Sequence, residues 1–403
     1  MRINGLAIGF YGFRLFRNAY FHVAISITYF SSIGLTLADA LTLESIYYVS
    51  KCLTEMPTGF LADRYGRKTC LVASSVTAAA GYAMMVLCPQ FSWLIVAELL
   101  LGLSMSLASG ADSALVYEAL SEQSRLDEYR TVEGRGWSMR NLGYGAASAV
   151  GSLLAARYGL GLPFLVSSVF ILGSLPFLAL IGEPPLPSMS KKQAAAARTV
   201  FGSLIKDLRF IFVLLFFSLE FIYVRVGFWV FQPALRELQV PVSWFGPLFC
   251  ATLAISLAAG MRMDLLRLSP GGTMLLLTLP ILAFHGFLAW GVQISGSEGL
   301  LLALLGFSFH AVVQGIYDPI MREWINTFSS SEFRATTLSL ASMLGNLGFA
   351  AVAPQFGGAL ERFGTTNVML LTALLFAICL LVLIAWGLRI KAVPALQQLT
   401  QRI

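Results

Sequence analysis

The chain has 403 residues, of which 57% are hydrophobic and only 12% are charged, and its mean hydropathy is +0.76. Soluble domains carry roughly 25% charged residues, so this composition excludes a soluble globular protein and indicates an integral membrane protein. The net charge is +6, but the basic residues are divided among many short segments and offer no continuous surface to a nucleic acid.

Apolar runs of about twenty residues recur along the chain, the length that a helix needs to cross ~30 Å of hydrocarbon. The strands of a membrane barrel would instead alternate in segments of about ten residues. The sequence therefore predicts an all-α membrane protein with twelve transmembrane helices. The predicted spans are 11–33, 37–61, 69–88, 91–117, 138–158, 162–181, 208–232, 243–263, 272–292, 298–319, 335–355 and 366–388.

Lysine and arginine residues flank these spans asymmetrically. With the N-terminus in the cytoplasm, 22 of them lie on the cytoplasmic side, Arg14 and Arg17 included, and three lie outside; assigning Arg14 and Arg17 to the first span still leaves 20 against three. Short cytoplasmic loops retain such an excess of positive charge. We therefore expect cytoplasmic N- and C-termini and place the protein in a bacterial cytoplasmic (inner) membrane.

A hydrophilic segment, GEPPLPSMSKKQAAAARTVFGSLIKDLR, separates six predicted spans from the next six. We predict an N-terminal six-helix bundle at 1–181, a basic cytoplasmic linker at 182–207 and a C-terminal six-helix bundle at 208–403. The linker either forms a short amphipathic helix on the membrane surface or is solvated. Two such bundles suit a transporter, because they can move about a central site.

The ten residues after the second predicted span, GFLADRYGRK, form the clearest motif in the chain, and GMRMDLLRLSPGG is a degenerate echo of it after span eight. Its glycines, Gly59 and Gly66, allow a close helix approach and a tight turn. The motif resembles the cytoplasmic-loop signature of the major facilitator superfamily. The matching positions are Gly59, Leu61, Ala62, Asp63, Arg64, Gly66, Arg67 and Lys68.

This resemblance implies two pseudo-symmetric six-helix bundles and transport by alternating access. It also implies that Asp63 meets the start of helix eleven, near Ala335 and Thr336, while Arg67 pairs with Glu118. Such a charge network would latch the two halves in the outward-facing state. The alternative is a solvated, positively charged turn. Two further stretches, SGADSALVYEAL and EFRATTLSL, resemble an efflux-type or poorly characterised branch of the superfamily.

Ionisable side chains inside spans cost at least ~2.5 kcal/mol each and usually mark pathways or partners. Glu44, Lys51 and Glu55 fall within about 40° of one another on span two, so they form either part of a pathway or a structural ion pair. Span four carries Glu98 and Asp112. Proton-coupled exporters of the resembled family often have an arginine where this chain has Glu98, which indicates that Glu98 itself titrates or that coupling resides elsewhere.

Span seven carries Glu220 and Arg225 about 140° apart, so we expect one of them to pair with another helix. His310 on span ten either carries a proton or is a satisfied hydrogen-bonding group. The other candidates lie on polar or aromatic faces of spans five, seven, ten and eleven. These are Arg140, Tyr144, Trp229, Gln314, Tyr317 and Asn346.

No hydrolase, metalloprotease or phosphate-loop motif and no metal-spaced His/Cys set occurs in the sequence, so we predict no enzymatic activity, no cofactor and no metal. The predicted function is proton-coupled export of a small amphiphilic or aromatic molecule. The alternatives are an uptake permease for a metabolite or metal chelate, and a non-transporting membrane receptor or assembly factor. The expected partners are the substrate, protons or another coupling ion, and membrane lipid, with the protein acting as a monomer.

Overall fold

The computed structural model describes residues 5–182, 206–263, 268–294, 296–328 and 334–392, without the side chains of residues 334–336. Every regular element in these ranges is helical. The predicted linker falls almost entirely outside the described residues.

The first part of the chain forms nine described helices. They are α1 (Gly5–Arg17), α2 (Ser26–Ser32), α3 (Leu37–Tyr65), α4 (Arg67–Leu87), α5 (Phe91–Ala108), α6 (Ala111–Glu122), α7 (Tyr129–Tyr158), α8 (Leu162–Leu172) and α9 (Leu175–Ala179), with 3₁₀ turns at Val23–Ile25 and Leu126–Glu128. The second part contains α10 (Leu208–Glu237), a 3₁₀ turn at Val242–Trp244, α11 (Phe245–Met261), α12 (Pro270–Ile294), α13 (Gly296–Phe328) and α14 (Arg334–Arg389).

Several predicted spans are interrupted. Residues 18–22 and the 3₁₀ turn Val23–Ile25 separate α1 from α2. Ser109 and Gly110 separate α5 from α6, and Gly173 and Ser174 separate α8 from α9. The last two predicted spans belong to one long helical element, α14, in which Gly364 has a non-helical backbone conformation (φ 75°, ψ 159°). Eight described segments are long and apolar enough to cross a membrane. The arrangement of twelve spans in two bundles stays a prediction.

The turn inside the charged motif follows directly from local chemistry. Helix α3 begins with a capping box, in which the Thr36 hydroxyl accepts from the Asp39 amide at 3.0 Å and Asp39 accepts from the Thr36 amide at 3.1 Å. It ends at Gly66, whose φ of 92° favours glycine, and α4 begins at the next residue. The motif therefore bends the chain sharply between two long helices.

The chain divides into two compact units. Unit 1 comprises Met1–Met189 and Pro241–Cys250, and unit 2 comprises Ser190–Val240 and Ala251–Ile403. An apolar core of unit 1 surrounds Phe10 and includes residues of α4, α6 and α9. The core of unit 2 is rich in aromatic side chains from α10. They are Phe210, Phe212, Phe216, Phe217 and Tyr223.

Glycines bring α7 into direct contact with the first predicted span. A Cβ atom at Gly143 would collide with the carbonyl oxygen of Leu15, and one at Gly151 would collide with that of Phe21. Small residues allow membrane helices to approach in this way. The contact fixes α7 beside α1 and beside the interruption that follows α1.

Candidate functional site

The charged motif forms the predicted ion pair. Arg67 Nε donates to Glu118 Oε1 at 2.7 Å, which joins α4 to α6, and the two side chains are 21% and 25% exposed. Lys68 Nζ donates to the carbonyl of Ile181 at 2.8 Å. The expected partners of Asp63, at 335 and 336, have side chains outside the described part of the chain, so the latch stays a prediction.

Two arginines of α1 lie within the predicted span 11–33 but were not predicted as site residues. Arg14 and Arg17 were counted among the cytoplasmic flanking charges, but their exposed fractions are only 2% and 5%, so both side chains are buried inside unit 1. The count used position along the chain alone, which does not distinguish a loop charge from one on the packed face of a helix. Their spacing of three residues on an apolar helix was a usable signal.

Arg14 binds carboxylates from two other helices. Its Nη2 lies 2.9 Å from Asp112 Oδ2 on α6 and 2.8 Å from Glu133 Oε1 on α7, and it donates to Ser113 Oγ at 2.9 Å. Asp112, a predicted pathway residue, is therefore a partner in this network. The network ties α1, α6 and α7 together.

Arg17 is surrounded by hydroxyl groups. Its Nη1 donates to Tyr20 Oη at 2.8 Å, and its Nη2 donates to Ser74 Oγ at 2.9 Å and to Ser104 Oγ at 2.7 Å. Its Nε is buried and has no hydrogen-bond partner. This guanidinium therefore differs from that of Arg14 in having neutral partners.

Aromatic rings continue outward from Arg17. The ring of Tyr20 lies 6.0 Å from each of the rings of His22, Tyr82 and Tyr144. The three tyrosines are partly exposed, whereas His22 is buried against Phe164 at 4.7 Å. We call Arg17, Tyr20, His22, Tyr82 and Tyr144 the Tyr20 cluster. Sequence reasoning had selected Tyr144 alone from this group.

The interruption between α1 and α2 is held by side chains from distant positions. The Phe21 amide donates to Ser167 Oγ at 2.9 Å, and His22 Nδ1 lies 3.0 Å from the same oxygen. Ser148 Oγ donates to the Tyr20 carbonyl at 3.4 Å. Backbone groups in a bilayer need internal partners, and these serines supply them where no helix does.

Four charged candidates lie on the neighbouring helices α3 and α5. Glu44, Lys51 and Glu55 are each half-buried on α3, and Glu98 on α5 is buried. The charges of Glu44 and Glu98 are close enough to interact. Any side chain at Gly102 would meet Ser50, which keeps α3 and α5 in close contact.

In unit 2, Glu220 and Arg225 have separate environments. Glu220 is fully buried and accepts a hydrogen bond from Thr278 Oγ1 at 3.2 Å, so its partner lies on α12. The other carboxylate oxygen, Oε2, has no hydrogen-bond partner. The guanidinium carbon of Arg225 lies 5.0 Å from the centre of the Phe221 ring. One of the two thus contacts another helix, as expected.

Among the remaining candidates, His310 and Tyr317 on α13 contact α10. His310 Nε2 lies 2.8 Å from the Val224 carbonyl, and the Tyr317 hydroxyl donates to the Phe217 carbonyl at 2.8 Å. These bonds satisfy both buried side chains; a proton-carrying role for His310 stays a prediction. The guanidinium carbon of Arg140 lies 4.7 Å from the centre of the Trp137 ring. Asn346 Nδ2 donates to Ser342 Oγ at 3.3 Å. Gln314 is half-buried and Trp229 is buried.

Comparison with known families decides the class of protein. The sequence profile of the Major Facilitator Superfamily matches residues 7–353. The chain belongs to the Major Facilitator Superfamily. The resemblance carried by GFLADRYGRK is confirmed, and the apolar helices of this member indicate an integral membrane protein.

Relatives of this superfamily member transport chemically different molecules. A 3-(3-hydroxy-phenyl)propionate transporter of Escherichia coli K12 is 26% identical over 338 residues, which cover 78% of this chain and 76% of the relative. The human facilitated glucose transporter member 12 is 28% identical over 163 residues, 39% of this chain and only 25% of that protein's length.

Among solved structures, a variant of the nucleoside transporter NupG superimposes with a TM-score of 0.81 at 13% identity, covering 94% of this chain and 98% of the other. At that identity the likeness concerns the fold alone.

Proposed function

We propose that this superfamily member is a secondary active transporter that moves a small aromatic or amphiphilic molecule by alternating access, with proton exchange driving export. The observation that carries the substrate class is the Tyr20 cluster, which presents partly exposed tyrosine rings beside a buried cation. Aromatic surface binds aromatic rings through stacking and edge contacts. The name of the Escherichia coli relative, which aligns over 78% of this chain, supports the same class.

The direction of transport forms a separate part of the proposal. Export follows from the resemblance of two stretches to efflux-type members, whereas uptake by a permease is the alternative. Proteoliposomes with an imposed pH gradient distinguish them. We expect an aromatic probe to move against the proton flow, and movement with it would establish uptake instead. Aromatic flux without any proton movement would remove the coupling claim.

Proton coupling requires a buried group that changes its charge during the cycle. The candidates are Glu44, Glu98, Glu220 and His310, because each lies in a membrane-spanning helix and is buried or half-buried. Glu98 and Glu220 are the most enclosed of the carboxylates. Replacing either by glutamine should abolish pH-driven transport while leaving counterflow of the probe intact. Loss of both activities would point to a structural role.

The gating motif supports alternating access in this proposal. Asp63 lies in the last turn of α3, and the Arg67–Glu118 pair follows at the start of α4; in this proposal Asp63 holds the cytoplasmic ends together in one state. We expect Asp63→Asn to reduce transport by about tenfold or more and to leave probe binding unchanged. Asp127→Asn, an exposed acidic residue outside the motif, is the control. Wild-type flux in the Asp63 variant would contradict the latch.

The substrate class is tested by thermal unfolding of the purified protein with 3-(3-hydroxyphenyl)propionate as probe, at two pH values. A ligand that binds only the folded state raises the unfolding temperature. We expect stabilisation by aromatic probes and none by glucose. Stabilisation by glucose alone would overturn the proposed class in favour of a sugar transporter.

A further inference from the structure

Among the residues that the structure describes, Arg17 is a buried cation that forms no ion pair. Within the described residues its three hydrogen-bond partners are the hydroxyls of Tyr20, Ser74 and Ser104, and its Nε has none. A buried charge is costly unless it is paired, and more so in a membrane protein. Three residues earlier, Arg14 meets two carboxylates in the same bundle.

Glu98, a buried acidic candidate, does not supply this balance. Glu98 and Arg17 both act electrostatically on Tyr82, but among the described residues they form no ion pair with each other. The guanidinium therefore has three neutral partners, and its Nε–H makes no hydrogen bond.

The position of Tyr20 gives this cation a route to a ligand. Tyr20 lies in the non-helical residues 18–22 that follow α1, and its side chain is partly exposed. Movement of this ring would uncover Arg17 Nη1. Interrupted helices commonly line the substrate sites of transporters, where polar groups freed from the helix meet the ligand.

We propose that Arg17 is the anion-recognition group of unit 1 and that the substrate is an aromatic molecule with a carboxylate, whose ring packs among Tyr20, Tyr82 and Tyr144. A guanidinium matches a carboxylate through two parallel hydrogen bonds, which a lone hydroxyl does not provide. The carboxylate replaces the Tyr20 hydroxyl on Nη1 and takes its second hydrogen bond from Nη2 on the same edge of the guanidinium, in place of one serine hydroxyl. This inference rests on the proposed function and narrows its substrate class from aromatic molecules to aromatic acids.

Two probes of the same shape test the charge requirement. The dissociation constants of 3-(3-hydroxyphenyl)propionate and its uncharged amide are measured by titration calorimetry on the full-length protein. Hydrogen bonds to charged groups contribute enough for about tenfold to hundredfold discrimination, so we expect wild type to prefer the acid by that factor. Arg17→Gln should bring the ratio close to one, mainly by weakening the acid.

Companion variants separate recognition from folding. Arg17→Lys keeps the buried positive charge but loses the two-pronged geometry, so we expect it to lose about threefold to tenfold of the acid preference. Tyr20→Phe removes the competing hydroxyl and should retain or strengthen acid binding. Arg157→Gln, an exposed arginine at the end of α7, should leave the ratio unchanged.

The outcomes distinguish this inference from the function on which it rests. Wild type that binds acid and amide equally overturns the inference but leaves an aromatic transporter. A wild-type ratio in a folded Arg17→Gln variant, or in Arg17→Lys if the glutamine variant does not fold, also overturns it. If the wild-type protein binds neither the acid nor the amide, both the proposed aromatic substrate class and the inference about Arg17 are wrong.

Discussion

Two arginines one helical turn apart are stabilised in different ways. Arg14 is compensated by Asp112 and Glu133, whereas Arg17 is held by three hydroxyls. Removing one partner of a buried ion pair leaves the other charge uncompensated and typically costs several kcal/mol. The two positions should therefore respond differently to substitution, Arg14 chiefly in stability and Arg17 chiefly in ligand binding.

For Arg14 we predict that Arg14→Gln lowers the free energy of unfolding by about 3–5 kcal/mol, because two carboxylates lose their cation. The measurement is thermal or denaturant unfolding of the purified protein. Arg125→Gln is the matched control, since Arg125 pairs with Glu128 at 2.7 Å in an exposed turn, where its hydrogen bond lowers the pKa of the Glu128 carboxyl. Equal effects of the two variants would show that burial does not govern the Arg14 network.

A second prediction concerns Gly151. A Cβ atom there would meet the Phe21 carbonyl, so Gly151→Ala must push α7 away from the interruption after α1. We expect a lower unfolding temperature and a loss of about 1–3 kcal/mol, the usual cost of overpacking. Gly134→Ala on the same helix, with nothing within 4 Å, should be neutral or slightly stabilising. An unchanged unfolding temperature for Gly151→Ala would mean that this contact is loose.

At the scale of helices, the spans were predictable and their interruptions were not. Hydropathy over twenty residues locates a span such as 11–33, because apolar length is a property of the sequence alone. The break at residues 18–22 depends on Ser167 and Ser148, which lie more than a hundred positions away along the chain. Hydrogen bonds between such distant residues produce no periodic pattern in the local sequence, so the break could not be predicted from it.

We predict that the side chain of Ser167 stabilises the break after α1. Ser167→Ala removes the acceptor of the Phe21 amide and the partner of His22, and an unsatisfied buried donor costs about 1–3 kcal/mol. Ser168→Ala is the matched control, because Ser168 donates to Ala79, whose carbonyl lies within a regular helix. We expect a clear drop in unfolding temperature for the first variant and little change for the second. Equal drops in unfolding temperature would indicate that Ser167 supports the break no more than Ser168 supports a regular helix.

For the whole molecule, composition and one motif were sufficient to indicate the family. GFLADRYGRK and the apolar spans identified a membrane protein of this superfamily, and the Arg67–Glu118 pair lies where the resemblance implied it. The Tyr20 cluster was not predicted as a unit, because its members come from three separate parts of the sequence and meet only through packing. Tyr144 was selected only because its helix has a polar face.

Membrane orientation is the prediction that belongs to the molecule as a whole. If the N-terminus is cytoplasmic, the turn after α6 lies inside and the turn after α7 lies outside. A fluorescent-protein fusion after Arg125 should be bright, and an alkaline-phosphatase fusion after Leu160 should be active. The reverse pattern would invert the topology and would place the charged motif on the external face.

Gly364 has a consequence for how unit 2 can move. The helical segments on either side of it are joined by this one residue, and consecutive Cα atoms lie only 3.80 Å apart. The adjoining helix ends are therefore tethered without slack, and drawing them apart would require at least one helical turn to unwind. Inserting a few flexible residues at Gly364 would lengthen the tether while leaving both helices intact.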